Sequence, residues 1–77
     1  MKINQKDVQY LRNQPLDVPK YESFEIGMYV LISKIWDKDD ENIYQVIRLK
    51  NTCITLSNNK TYYRKHLIII PESFYTN

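Results

Sequence analysis

Cys53 is the only cysteine and His66 the only histidine in this 77-residue chain. That pair of facts constrains the fold more than any motif. An intrachain disulfide is impossible, and a metal centre built on clustered Cys and His ligands has no residues to use. A domain of this size buries only about 60% of the surface its unfolded chain exposes, and small scaffolds usually lean on a staple. Here the core has to come from apolar packing, with a partner subunit, such as a homodimer mate, as the remaining source of buried area. No cofactor and no metal are expected.

The supply of core residues is adequate: 43% of the chain is hydrophobic and seven residues are tyrosine. Their spacing indicates strands. Gly27 precedes "MYVLISKIW" (28–36), where Val30 and Ile32 alternate, and a glycine there suits a backbone angle that other residues avoid. "DKDDEN" (37–42) reads as a polar loop, "IYQVIRLK" (43–50) as a second strand and "TCITLS" (52–57) as a third. Asn58-Asn59 supplies the positive φ of a tight hairpin, leading to "KTYY" (60–63). "RKH" (64–66) fits one helical turn before a last strand, "LIIIP" (67–71). Five short strands in about fifty residues predict a mainly β, five-stranded small barrel, in which closure hides the strand edges.

Residues 1–24 read as a short helix or an extended arm. Asn4 suits an N-cap, Asp7 lies three residues on, Val8 and Leu11 share a face and Pro15 stops the pattern. "PLDVPKYESFE" runs extended, with Val18, Tyr21 and Phe24 available to pin it. The division expected is an arm over 1–24, a barrel over 25–71 and a tail over 72–77, frayed unless Phe74 and Tyr75 dock.

Net charge is +2, but residues 42–77 carry Arg48, Lys50, Lys60, Arg64 and Lys65 against Glu72 alone. Such asymmetry points to an anionic partner. The start "MKINQKDVQY" has no apolar signal core, and the aliphatic run Leu67–Ile70 is too short to span a bilayer. A cytoplasmic location with no membrane partner is the expectation. Alanine is absent while isoleucine, lysine and asparagine abound, a bias that AT-rich coding produces and that suggests a phage or mobile-element protein.

The order Gly27-x-x-Val30-x-Ile32, Tyr44-x-Val46-Ile47 and "LSNNKTYYRKHL" (56–67) resembles an SH3-like barrel. It is most similar to the C-terminal domains of retroelement integrases and, more distantly, to KOW and Tudor-type barrels. The resemblance covers residues 25–71. It implies a barrel that binds nucleic acid or a protein tail and does no chemistry.

Two groups of side chains are the candidate sites. Arg48, Lys50, Lys60, Arg64 and Lys65 are suited to meeting phosphates. Tyr62 and Tyr63 point to opposite sides of their strand, one to the core and one free to stack on a base; Tyr62 is placed with the cations as the nucleic-acid-binding set. The second group is Trp36, Asp37, Asp39, Asp40 and Glu41, a protein interface in which tryptophan anchors and the acidic loop mimics phosphate. The same loop lacks the glycine and glutamate of a calcium-binding EF-hand loop: Asn42 and Arg48 occupy those positions. No paired-carboxylate, phosphate-loop or triad pattern occurs, so no enzymatic activity is expected. The leading expectation is DNA or RNA binding through a basic barrel face. The other is binding and inhibition of a host protein of replication, transcription or defence.

Overall fold

A computed structural model describes residues 2–76. The elements are strand β1 (Lys2–Ile3), helix α1 (Gln5–Asn13), strands β2 (Tyr29–Ile32), β3 (Ile43–Lys50), β4 (Cys53–Leu56), β5 (Thr61–Tyr63), β6 (Leu67–Ile69) and β7 (Tyr75–Thr76), with 3-10 turns at Tyr21–Ser23, Arg64–His66 and Glu72–Phe74.

The helix forms where its caps dictate. The Asn4 side chain accepts from the Lys6 backbone N–H at 2.9 Å, Asp7 lies in the first turn and Arg12 in the last, each charge favourably placed on the helix dipole. Pro15 forces Gln14 into an extended conformation, ψ 154°, and the helix stops. A nine-residue helix is unstable alone; this one buries Val8 completely against the sheet.

The main sheet is antiparallel in the order β5-β4-β3-β2-β6, and β1 pairs with β7 in a second, two-stranded sheet. Gly27 adopts φ +98°, as its position before the first long strand suggested. Its N–H donates to the Val46 carbonyl at 2.8 Å and its own carbonyl accepts from Gln45 Nε2 at 2.8 Å. The β3–β4 hairpin turns on Asn51 (φ 51°) and Thr52 (φ 64°), the paired positive values of a type I′ turn. The β4–β5 hairpin turns through Ser57–Asn59, and of the two asparagines Asn59 takes the positive φ, 64°.

Two expectations need correction. The first strand stops at Ile32 rather than Trp36, because the N–H groups of Trp36 and Asp37 both bond the Ser33 carbonyl at 3.0 Å and fold 33–37 into a turn. The barrel is not closed: no ladder joins β5 to β6, which the 3-10 turn Arg64–His66 connects. The sheet must nevertheless curl strongly. Three linking residues reach at most about 15 Å, whereas the edges of a flat five-stranded sheet lie about 19 Å apart. For the tail, the exception allowed by the sequence holds, and Phe74 and Tyr75 dock. Phe74 and Tyr75 pack on the second apolar cluster, Tyr75 accepts from the Tyr29 N–H at 3.3 Å through its hydroxyl, and the two rings meet edge to face.

The curled sheet has two apolar layers. Inside lie Phe24, Val30, Ile32, Val46, Ile54, Leu56, Tyr62 and Leu67. Outside β2 and β6, Leu31 and Ile70 meet Val8 of the helix. Strand β2 is therefore buried on both faces, and the expected alternation of Val30 and Ile32 with outward residues is lost at Leu31. The outer side of β4 and β5 receives no such cover, and that asymmetry positions the candidate sites.

Candidate functional site

The exposed face of β3, β4 and β5 is assembled by a bulge. Register shifts between Val46 and Arg48, so Ile47 is the extra residue and Arg48 points outward beside it. Leu49 then turns in and Lys50 out. Cross-strand pairing builds two outward rows: Arg48 with Thr55 and Thr61, and Lys50 with Cys53 and Tyr63. Both rows are cationic at β3 and small on β4; at β5 one ends in Thr61 and the other in Tyr63. Immediately beyond Tyr63, Arg64 and Lys65 line a hollow of about 310 Å³ together with Val18, Thr52 and Tyr63. Arg64 also donates from Nη1 to the Pro19 carbonyl at 3.1 Å, which fixes the guanidinium and ties down the extended arm.

Arg48 and Lys50 therefore share the outer face of β3–β5 with Tyr63, and Arg64 and Lys65 share a hollow with it. Lys60 does not join them. It lies at the β4–β5 turn and lines a different groove, opposite Asp37 and Asp40. The tyrosine assignment is corrected as well. Tyr62 pairs with Ile54, is 9% exposed and belongs to the inner core, with its hydroxyl accepting from Asn58 Nδ2 at 3.0 Å. Tyr63, 55% exposed, is the ring available to a ligand. Alternation places the two on opposite sides; which one faces inward is decided by the register with β4.

The second candidate group lies on the β2–β3 connection. Trp36 is 58% exposed and Ile35 79% exposed, yet the turn presenting them is tightly held. The Ser33 N–H donates to the His66 carbonyl at 2.8 Å, and Ser33 Oγ accepts from the Ile35 N–H at 3.2 Å. Arg12 of the helix, 4% exposed, reaches under the turn. Its Nε donates to the Ile32 carbonyl at 3.0 Å, Nη1 to the Lys38 carbonyl at 3.3 Å and Nη2 to the Asp37 carbonyl. Trp36 stacks on His66 at 3.8 Å between ring centres.

His66 is buried, and its Nδ1 accepts from the Tyr63 N–H at 3.3 Å. This bond places the ring proton on Nε2. Burial, and secondarily the charge on Lys65, pushes the imidazole pKa below its usual 6.5. The acidic loop is partly structural. Asp37 Oδ1 accepts from the Asp39 N–H, Asp40 Oδ1 from Asn42, and Asp40 Oδ2 from the Tyr44 hydroxyl at 2.8 Å. Burial, with that bond to Asp40, raises the Tyr44 pKa above 10.0. Asp39 and Glu41 remain exposed.

Sequence reasoning missed Arg12 and the Trp36–His66 stack. Arg12 bonds backbone carbonyls, which leave no signal in residue types; its spacing of four from the apolar Val8, on the buried helix face, was the available clue. Among the described residues, no group of three or more His, Cys, Asp or Glu side chains is arranged to hold a metal ion, and no helix is long and apolar enough to cross a membrane. No protein-family model, curated protein or solved structure matches the chain.

Proposed function

We propose that this protein is a non-enzymatic nucleic-acid-binding module built on an SH3-like small barrel. The observation that carries the reading is the uncovered outer face of β3–β5. Arg48 and Lys50 stand on one side of a floor of Thr55, Cys53 and Thr61, and exposed Tyr63, followed by Arg64 and Lys65, stands on the other. A small-residue floor lets a strand of nucleic acid approach closely. The cations meet phosphates, and the exposed ring offers a stacking surface to an unpaired base. Single-stranded DNA or RNA suits this arrangement, because stacking on Tyr63 needs a base free of its duplex neighbours.

The barrel assignment is supported by the strand order β6-β2-β3-β4-β5 together with the 3-10 turn that leads from one edge strand to the other. The likeness to integrase C-terminal domains remains a proposal resting on the "LSNNKTYYRKHL" segment.

Fluorescence anisotropy with a labelled single-stranded oligonucleotide tests the reading. With four phosphate contacts, log affinity should fall with log salt at a slope of about −3, or about fifty-fold between about 50 and 200 mM. The double change Arg48→Glu, Lys50→Glu should abolish binding, and Tyr63→Ala should weaken it by about 1–3 kcal/mol. Lys60→Glu, away from this face, should have little effect. Affinity that survives the double change, or that is insensitive to salt, overturns the assignment.

A further inference from the structure

Trp36 stands between two depressions of different chemistry. On one side is a hollow of about 260 Å³ lined by Leu16, Ile35, Trp36, Lys65 and His66, apolar except for the Lys65 ammonium and the imidazole edge. On the other is a groove of about 490 Å³ lined by Trp36, Asp37 and Asp40 of the β2–β3 connection, by Lys60 and Thr61 where β5 begins, and by Tyr44 and Tyr62. Asp39 and Glu41 are exposed on the same connection. Residues 37–41 carry four acidic side chains and one lysine.

Ile35 and Trp36 are exposed on a turn held in place by a buried guanidinium and four further hydrogen bonds. Large exposed apolar side chains on a fixed turn lose little conformational entropy when covered, which is the condition for a binding anchor. The hollow selects a bulky apolar side chain. The carboxylates of Asp37 and Asp40, across the indole, select a cation that also meets the indole face or edge. In an extended chain, residues i and i+2 point the same way about 7 Å apart, a spacing that straddles one indole ring.

We propose that the Trp36 surface is a docking site for an extended protein segment carrying a bulky apolar residue and an arginine or lysine two positions apart. This surface adjoins the Tyr63 face, with which it shares Lys65: the apolar group enters beside Ile35, and the cation lies against Asp37 and Asp40. Lys60, which lines the same groove, opposes a cationic guest, so its removal improves the fit.

Heteronuclear NMR on the full chain tests the proposal with a capped Gly-Leu-Ser-Arg-Gly peptide and its Arg-to-Glu counterpart. The arginine peptide should shift the Trp36 indole N–H and the amides of residues 35–41, while the glutamate peptide should not. Trp36→Ala should weaken binding by about tenfold or more, read on the His66 and Leu16 resonances. Lys60→Ala should strengthen it. If Trp36→Ala disturbs the fold, the exposed double change Asp39→Lys, Glu41→Lys supplies the same test, because it should weaken the arginine peptide alone. Equal shifts with both peptides, or none with either, overturn the proposal. So does an oligonucleotide that shifts these resonances more than the peptide does, which would assign the surface to nucleic acid.

Discussion

His66 connects the two surfaces. Its ring stacks on Trp36, meets Tyr63 edge-on at 5.8 Å, and accepts the Tyr63 N–H at Nδ1. Protonation would turn that acceptor into a donor facing another donor, with the Lys65 charge beside it. Burial first, and then the Lys65 charge, depresses the folded pKa. Below about pH 6.5 the unfolded chain takes up a proton that the folded chain does not, so the unfolded state binds more protons there and stability falls as pH falls. The loss begins near 6.5 and levels off below the folded pKa; above 6.5 the contribution is present in full. Urea unfolding as a function of pH should show that slope, and Trp36, the only tryptophan, should report an imidazole midpoint below 6.5 through its emission. His66→Phe should flatten the slope in this window. A wild-type midpoint at or above 6.5 would contradict the burial of a neutral ring.

At the scale of elements, the turn at 33–38 depends on a helix twenty residues earlier. Arg12 satisfies the carbonyls of Ile32, Asp37 and Lys38 together. A planar guanidinium with several fixed donors can do this, and a lysine ammonium on its flexible stem cannot reproduce it. Arg12→Leu should destabilise the fold by more than about 2 kcal/mol, since hydrogen bonds to charged groups are worth about 1.5–3 kcal/mol and the carbonyls are left bare. Arg12→Lys should recover less than half of that loss, measured by thermal or urea unfolding. A fully stable Arg12→Lys protein would show that charge near the turn matters and fork geometry does not. Elements of this kind also mark what was legible beforehand. Strands β3 to β6 were readable because β-branched and aromatic runs lie between asparagine turns and the Arg64–His66 turn; α1 was one of two readings that Asn4, Asp7 and Pro15 allowed, the other being an extended arm. The bulge at Ile47 was not, because it depends on pairing with β4. Nor was the early end of β2, set by Ser33 and by Arg12 from outside the strand. Among the candidate site residues, the cluster of Arg48, Lys50, Arg64 and Lys65 follows from strand alternation plus one turn. Lys60 and Tyr62 fell elsewhere because hairpin register, rather than composition, assigns their sides.

The whole molecule uses its ends as a second layer. A single sheet this short has one inner core, and its outer face would leave Leu31, Ile68 and Ile70 in water. Helix α1 and the β1–β7 pair cover that side, joining residues 2–3 to 75–76. One outer half of the sheet is thereby closed and the other, bearing Arg48, Lys50 and Tyr63, is left open. Stability and function should therefore separate spatially. Burying Val8 contributes about 1.5–3 kcal/mol, and the hydrogen bonds of Arg12 add a comparable amount. The total stability expected of 77 residues is only about 4–12 kcal/mol. Removing residues 1–13 should take away most of it, leaving a chain without a cooperative thermal transition. The charge reversals at Arg48 and Lys50, on the open half, should shift the midpoint by little, since exposed substitutions usually change stability by less than about 0.5 kcal/mol. Differential scanning calorimetry on the three proteins compares these outcomes directly. A truncated chain that melts cooperatively at the full-length temperature would mean that the inner core suffices and that the outer layer serves something other than stability.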